Sequence, residues 1–422
     1  MADALAIWLY GIRVALVERA RERLRLFYTD EALERYPAGV PLLSLTMPLT
    51  SRRFGHGVVR AFLDGLLPEG DVRRALADEF GVRAGDTYAL IRALGRDCAG
   101  ALVIQPDDEP APPQPTTQTA EPLTEAQIGD LVANLRSAPL GVDARVRISL
   151  AGVQEKLLLT RMPNGSWGRP VDGTPSTHIL KPEIARYANT VENEAFCMRL
   201  ARHLGLSVAG VETMMIGGRR LIIIARYDRI VRPDGQVERL HQEDFCQAAG
   251  IPPERKYEED GGPSLRRIAE ILQGAVGADS LEMLLRATTV NVLIGNGDAH
   301  GKNFSLLHET PGVLRLAPLY DLLCTLVYKQ DRLAMYIDNV RRTNSVTADR
   351  IVNEAARWGL SRRRASEIIA DMLDRVPAAA QAARNETEGL PSDIPEVVDS
   401  QLAQIRSAFS PLRTSVPPRV RT

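Results

Sequence analysis

Residues 293–303 read L-I-G-N-G-D-A-H-G-K-N, and this stretch restricts the fold more than any other. Before it, Met283, Leu284, Ala287, Val290, Leu293 and Ile294 recur at helical spacing and stop at Gly295. After it, apolar runs at 304–307 and 313–316 flank Thr310-Pro311-Gly312, the pattern of a β-hairpin. A helix, a glycine-rich loop and a buried hairpin in succession hold Asp298, His300, Lys302 and Asn303 in one tight loop between two apolar elements. Both neighbours need a core to bury against, and a 422-residue chain with 45% hydrophobic residues can supply one across two or three domains.

The rest of the chain divides around a proline-rich stretch. Residues 106–122 hold six prolines among Gln, Thr, Asp and Glu, a composition that predicts an exposed, mobile linker. We divide the chain into an N-terminal α/β subdomain (1–105), a linker and lead-in (106–140), a β-rich lobe (141–240), a helical lobe (241–410) and a flexible tail (411–422) that includes Pro417, Pro418, Arg419 and Arg421. The first unit reads as strands around Gly11, a strand at 24–28, and helices at 62–67, 72–80 and 87–94, the first two split by Pro68-Glu69-Gly70. It shows no titratable cluster and is expected to serve structure or docking. The third unit reads as a hairpin at Asn164-Gly165, strands at 157–160 and 178–181, a helix at 191–204 with Thr190 as N-cap, and strands at 211–216 and 221–225. From Gln242 onward the chain reads as mostly helical, starting with 243–249.

Net charge is −1, so no global field favours nucleic acid or membrane. Cys98, Cys197, Cys246 and Cys324 lack zinc spacing and are expected as reduced thiols. The start lacks a basic leader and no 18-residue apolar run occurs, so no membrane partner and a cytoplasmic location are expected.

Asp298 and Asn303 have the D-x-x-x-x-N spacing of a protein-kinase catalytic loop, in which Asp accepts the substrate hydroxyl proton and Asn holds Mg²⁺. Lys302 could offset charge on the phosphate. Asp321 lies 18 residues beyond Asn303, where the hairpin returns, and supplies a second metal oxygen. Lys181 ends an apolar strand, as the lysine that meets the α and β phosphates would, with Glu192 or Glu194 as its helix partner. A phosphate-covering turn fits Ser149 to Lys156, though Gly152 is its one glycine. Each residue alone has an ordinary role: Asp298 in a turn, Asp321 as an N-cap, His300 on a carbonyl, Lys181 at a solvated strand end. Their order along the chain favours ATP-dependent phosphoryl transfer on an α+β, protein-kinase-like core with a β-rich N-lobe and a helical C-lobe. Arg341-Arg342 and Arg362-Arg363-Arg364 read as solvated helix faces or as phosphate-backbone contacts to DNA.

The chain resembles the HipA family of serine/threonine-kinase toxins from type II toxin–antitoxin modules. The likeness rests on Phe62-Leu63-Asp64-Gly65-Leu66-Leu67-Pro68, Gly95-Arg96-Asp97, the run from Arg147 to Lys156, Thr177-His178-Ile179-Leu180-Lys181, Gln242-Glu243-Asp244-Phe245-Cys246-Gln247, Lys256-Tyr257-Glu258 with Gly261-Gly262-Pro263, and Gly297-Asp298 with Asn303-Phe304-Ser305. It covers about residues 1–330 firmly and the C-terminal helices loosely. The resemblance implies ATP and Mg²⁺ as cofactors, Asp298 as base, and Asn303 and Asp321 as metal ligands. It implies nucleotide contacts from Ala151, Gly152, Val153, Gln154, Glu155, Lys156, Lys181, His300, Gly301, Lys302, Asn303, Tyr320 and Asp321, with Ala225, Arg226 and Tyr227 as the hinge at the adenine. Ser149 matches the serine that the family autophosphorylates, which would add roughly −2 charge beside the loop, eject it and switch the enzyme off. The resemblance further implies glutamyl-tRNA synthetase as substrate, a HipB-like helix-turn-helix antitoxin as partner, and operator DNA bound through that complex. The alternatives are a non-catalytic, DNA-bound co-repressor subunit and a small-molecule kinase.

Overall fold

Tyr10 and Gly11 take positive φ (52° and 79°), and this two-residue turn folds strands Ala4–Leu9 and Ile12–Ala20 against each other. Arg23–Tyr28 and Leu102–Pro106 complete a four-stranded antiparallel sheet, with Leu102–Pro106 beside the first strand. The computed structural model describes residues 4–143, 145–310, 312–407 and 409; Pro311 of the expected hairpin turn and the expected tail at 411–422 lie outside them. Helix His56–Leu66 buries Val59, Phe62, Leu63 and Leu66 in the core of this first unit. Helices Gly70–Glu79 and Thr87–Leu94 follow, the latter capped by Asp86, whose side chain accepts from Ala89 N–H.

The proline-rich stretch is a strap rather than a mobile linker. Thr117 N–H donates to Gly235 C=O at 2.8 Å, Val237 N–H donates to Pro115 C=O at 2.9 Å, and the Thr117 side chain is buried. Prolines lack a donor but keep their carbonyls, so the strap accepts from the neighbouring Arg229–Val231/Val237–Arg239 ribbon and gives its threonine amide in return. Glu121–Pro122 then pairs with Trp167–Arg169, and helix Glu125–Ala133 opens with a Thr124–Gln127 capping box. The expected lead-in thus belongs to the second sheet.

That sheet is antiparallel in the order Glu121–Pro122, Trp167–Arg169, Leu157–Arg161, His178–Pro182, Arg219–Ala225, Val211–Ile216. Helix Thr190–His203 packs on it. Its N-cap is Asn189, in the left-handed region at φ 59°; Thr190 lies inside the first turn, and its hydroxyl accepts from Ile184 N–H instead. Residues 241–244, expected as helical at their end, form a strand that pairs with Ser305–Thr310. Asp244 then caps the short helix Phe245–Ala249 through a box with Gln247. Below lie helices Leu265–Ala275, Asp279–Leu293, Ala348–Arg357, Arg362–Asn385 and Asp393–Arg406, sharing a core around Phe196, Leu284, Val290 and Trp358. The architecture is a β-rich lobe over a helical lobe, with the first unit against both. Among the described residues no helix is long and apolar enough to cross a membrane.

Candidate active site

A cleft of about 890 Å³ opens between the lobes, and the stretch 293–303 forms its floor. Helix Asp279–Leu293 ends at Ile294 and Gly295 reverses the chain at φ 66°, where an added Cβ would lie 2.7 Å from Leu326. The loop is then fixed from within. Asn296 ties to Asn291, Asp298 N–H donates to Asn296 Oδ1 and His300 N–H donates to Asp298 C=O.

Lys181 Nζ lies 2.8 Å from Glu194 and 2.7 Å from Asp321. Glu194 is the helix partner; Glu192 faces Arg220 instead. The two contacts differ in kind. The Glu194 side chain is 5% exposed, whereas that of Asp321 is 47% exposed to the cleft. Cleft water screens the second contact, so Asp321 is the partner that can exchange. Lys181 draws the Asp321 carboxyl down to about 2, while burial pushes that of Glu194 up despite the lysine. Burial alone would lower the Lys181 ammonium, but the two carboxylates outweigh it and hold it charged. Asp321 takes φ 59° and starts no helix, the next short turn, Leu326–Tyr328, having Thr325 at its N-cap; its carboxylate meets Lys181 instead.

Asn303 donates from its amide to Asp298 C=O (3.2 Å) and to Asp321 Oδ2 (3.5 Å), so the amide oxygen is the atom that could ligate a cation. One carboxylate plus one amide oxygen suits Mg²⁺, which takes few protein ligands and completes its shell with phosphates and water. No group of three His, Cys, Asp or Glu side chains that could hold a metal occurs among the described residues. Asp298 opens onto the cleft and accepts from the Tyr257 hydroxyl at 2.9 Å. Desolvation by the cleft walls raises its carboxyl, against the Tyr257 hydrogen bond.

The cover of the cleft is the loop Ala151–Lys156. All six residues line it, Gly152 has φ 119°, and an added Cβ there would meet Lys156 Nζ at 2.4 Å. Lys156 donates to Ala151 C=O (2.7 Å), and burial with Lys181 nearby lowers its ammonium to about 8. The first unit grips this loop in three places. Ser149 Oγ donates to Leu66 C=O (2.7 Å), Ser149 N–H to Asp97 C=O (3.1 Å), and Glu69 N–H to Gly152 C=O (3.2 Å). Ser149 is fully buried.

Ala225, Arg226, Tyr227, His300 and Tyr320 also line the cleft. The Arg226 guanidinium does not face it; it is buried on Asp97, Asp228, Ser176 and the Cys98 carbonyl. Tyr227 stacks on Tyr320 at 5.7 Å, and Tyr320 donates to Lys302 C=O. Burial takes the His300 imidazole down to about 3, so it is neutral. Gly301 sits beneath the cleft, where a Cβ would be 2.3 Å from Pro263. Lys302 departs from its expected role. Its ammonium is buried on Asp244 (2.7 Å) and Gly65 C=O (3.2 Å), facing the first unit.

Sequence reasoning missed Glu69, Asp244, Lys256 and Tyr257. Glu69 comes from the unit thought to hold no titratable cluster, which in fact also buries Asp64 and Asp97 among arginines. The Pro68-Glu69-Gly70 break, placing a charge between two apolar helices, was the available signal. The arginine clusters are largely paired on the protein: Arg364 with Glu282, Arg363 with Glu367, Arg342 with Asp331.

A β-rich lobe with a buried Lys–Glu pair, set over a helical lobe with this loop and hairpin, is the architecture of a protein-kinase-like phosphotransferase. The chain belongs to the HipA family: the HipA N-terminal domain matches residues 5–105 and the HipA-like C-terminal domain residues 148–380. Y4mE of Sinorhizobium fredii, itself named as a kinase, is 41% identical over 82% of this chain and 84% of its own. The serine/threonine-protein kinase toxin HipA of Shewanella oneidensis is 34% identical over 81% of this chain and 80% of its own. HipA from Shewanella oneidensis MR-1, solved with HipB and its operator DNA, superposes with a TM-score of 0.83 at 29% identity, covering 96% of this chain and 97% of that one. The protein is a kinase of this toxin family.

Proposed function

We propose that the chain phosphorylates a serine or threonine of a protein substrate with ATP and Mg²⁺. Asp298 accepts the hydroxyl proton, Asn303 and Asp321 hold the metal, Lys181 and Lys156 meet the phosphates under the loop Ala151–Lys156, and Ala225, Arg226 and Tyr227 border the adenine with Tyr320. Bound Mg²⁺ supplies charge neutralisation on the phosphates. The observation that carries this reading is the chain of contacts Glu194–Lys181–Asp321–Asn303–Asp298, which joins both lobes across the cleft. Glutamyl-tRNA synthetase is the proposed substrate, with growth arrest as the outcome. A HipB-like antitoxin is the proposed partner, in line with the HipB and operator DNA found with the Shewanella oneidensis HipA. Ser149 is the proposed self-modification site. Its hydroxyl lies inside the contact between loop and first unit, so a phosphate there could be housed only with the loop out.

The test is γ-phosphate transfer from labelled ATP to purified glutamyl-tRNA synthetase, with growth followed on expression without a partner. Wild type should label the synthetase and arrest growth, and Asp298→Asn should do neither. Arrest retained in Asp298→Asn would refute the kinase mechanism. Labelling of other lysate proteins but not the synthetase would refute the substrate alone. Ser149→Ala should stay active through prolonged incubation with ATP while wild type declines.

A further inference from the structure

The catalytic loop's own lysine faces away from the reacting atoms, since Lys302 is held by Asp244 and Gly65 C=O. A second lysine stands beside the base, from outside the loop. Lys256 lines the cleft, and its neighbour Tyr257 donates to Asp298. The Lys256 carbonyl accepts from Gly301 N–H at 3.4 Å, so its backbone is attached to the catalytic loop. The segment is rigid. At Gly262 a Cβ would lie 2.3 Å from Arg255 C=O, Glu258 accepts from Tyr336 N–H at 2.7 Å, and Glu259 pairs with Arg332 at 2.8 Å. Lys256 Nζ pairs with Glu69 Oε2 of the first unit at 3.0 Å and lies 5.7 Å from the centre of the Tyr257 ring. The other oxygen, Glu69 Oε1, is buried, makes no hydrogen bond among the described residues and meets Lys302 Nζ only at 3.9 Å, a lysine already bonded to Asp244. An ion pair built to dock two units would satisfy both oxygens, whereas a half-satisfied one can be exchanged for a stronger anion.

We propose that Lys256 is a catalytic residue whose ammonium leaves Glu69 when Mg·ATP binds and contacts the phosphoryl group in transfer, Glu69 being its resting counterion. The inference rests on Asp298 as base. In the step, the acceptor hydroxyl oxygen bonds to the γ-phosphorus and the bond from that phosphorus to the β–γ bridging oxygen breaks. ADP leaves with the electron pair, and the hydroxyl proton passes to Asp298. Charge on the transferred group's equatorial oxygens is met by a cation next to the base. The first unit thereby holds part of the catalytic machinery in reserve.

The experiment measures ADP release from Mg·ATP, with casein as acceptor, for wild type, Lys256→Met, Lys256→Arg, Glu69→Gln and Asp298→Asn, with melting temperature alongside. Methionine keeps the packing of the lysine stem. Lys256→Met should lower kcat about 10²-fold, with ATP KM changed less than about 3-fold. Lys256→Arg should recover a measurable part of that loss. Glu69→Gln should move the other way, lowering ATP KM by removing a competing carboxylate. If Lys256→Met and Glu69→Gln lose activity and melting temperature together, the pair only docks the units and the proposal falls. If Lys256→Met matches wild type while Asp298→Asn is dead, Lys256 alone is wrong. Turnover retained in Asp298→Asn, or absent from wild type, overturns the base and with it this inference.

Discussion

Asp97→Asn should unlock the joint between the first unit and the segment holding Arg226 and Arg229. Asp97 is buried with Arg229 at 2.8 Å, Arg226 at 3.2 Å and Arg239 at 3.3 Å, and accepts from Ser176 N–H and Oγ. Asp228 is the second carboxylate, bonded to Arg226 and Arg229. The amide keeps the volume, so no cavity forms, but three buried guanidinium groups are left with one carboxylate. Removing one partner from a buried pair costs about 3–5 kcal/mol, a large share of a typical total stability of about 5–15 kcal/mol. Arg239 is the weakest member. Its Nε and Nη1 are buried without partners among the described residues, and burial lowers its guanidinium to about 10 despite Asp97. Adding Arg239→Met to Asp97→Asn should therefore recover at least about 1 kcal/mol. Urea unfolding followed by circular dichroism and by tryptophan fluorescence measures this, with Trp8 in the first sheet and Trp167 in the second. A pH series adds a sign. Burial would raise the Asp97 carboxyl, but Arg229, Arg226 and Arg239 outweigh it and hold it well below the usual range. Its stabilisation is present above the unfolded value of about 3.9 and is lost as pH falls toward the folded value, so the variant should show a flatter decline below about pH 4. A loss under about 1 kcal/mol for Asp97→Asn, or an additive further loss from Arg239→Met, would refute the argument.

Three further outcomes are expected. Lys181→Met should lower phosphoryl transfer by about 10²-fold or more, whereas Glu192→Gln, which disturbs the pair with Arg220 at the far side of the helix, should change it little; equal losses would mean that Glu194 is not the partner that matters. With its ammonium near 8, Lys156 loses charge as pH rises, so ATP KM should climb above about pH 8, and Lys156→Gln should abolish that dependence in a KM–pH profile. Gly301→Ala would drive a Cβ into Pro263 at 2.3 Å, and should cut turnover while far-ultraviolet circular dichroism stays unchanged; full activity would show that the loop tolerates displacement there.

The sequence made much of the site legible because it is local. Asp298 and Asn303 share one loop, and the hairpin returns Asp321 beside them by pairing alone, with Leu306 opposite Leu316. The choice of Glu194 over Glu192 was not legible, since both lie in the first turns of one helix and both are buried; only the helix's rotation against Lys181 decides it. Lys302 misled because spacing cannot say which way a lysine turns, and its acceptor, Asp244, was hidden in a strand read as helical. Composition misled at 106–122, where few apolar residues suggested mobility; backbone bonds to Gly235 and Val237 hold the strap without a core of its own. Glu69 was invisible because its partners Lys256 and Lys302 are remote in sequence.

The buried Ser149 hydroxyl makes any modification there a gated reaction. No phosphate donor reaches a fully buried atom, so labelling proceeds only from molecules whose loop has opened. When reclosing outpaces chemistry, the observed rate is the open fraction multiplied by the rate of the chemical step. The open fraction is set by the bonds from Leu66, Glu69 and Asp97, each to or from a backbone atom of the first unit. Each 1.4 kcal/mol added to that contact lengthens the delay about tenfold, with no change at the chemical centre. Under the proposed self-modification, the first unit acts as a clock spring: its packing against one short loop fixes how long the enzyme runs before Ser149 can be phosphorylated.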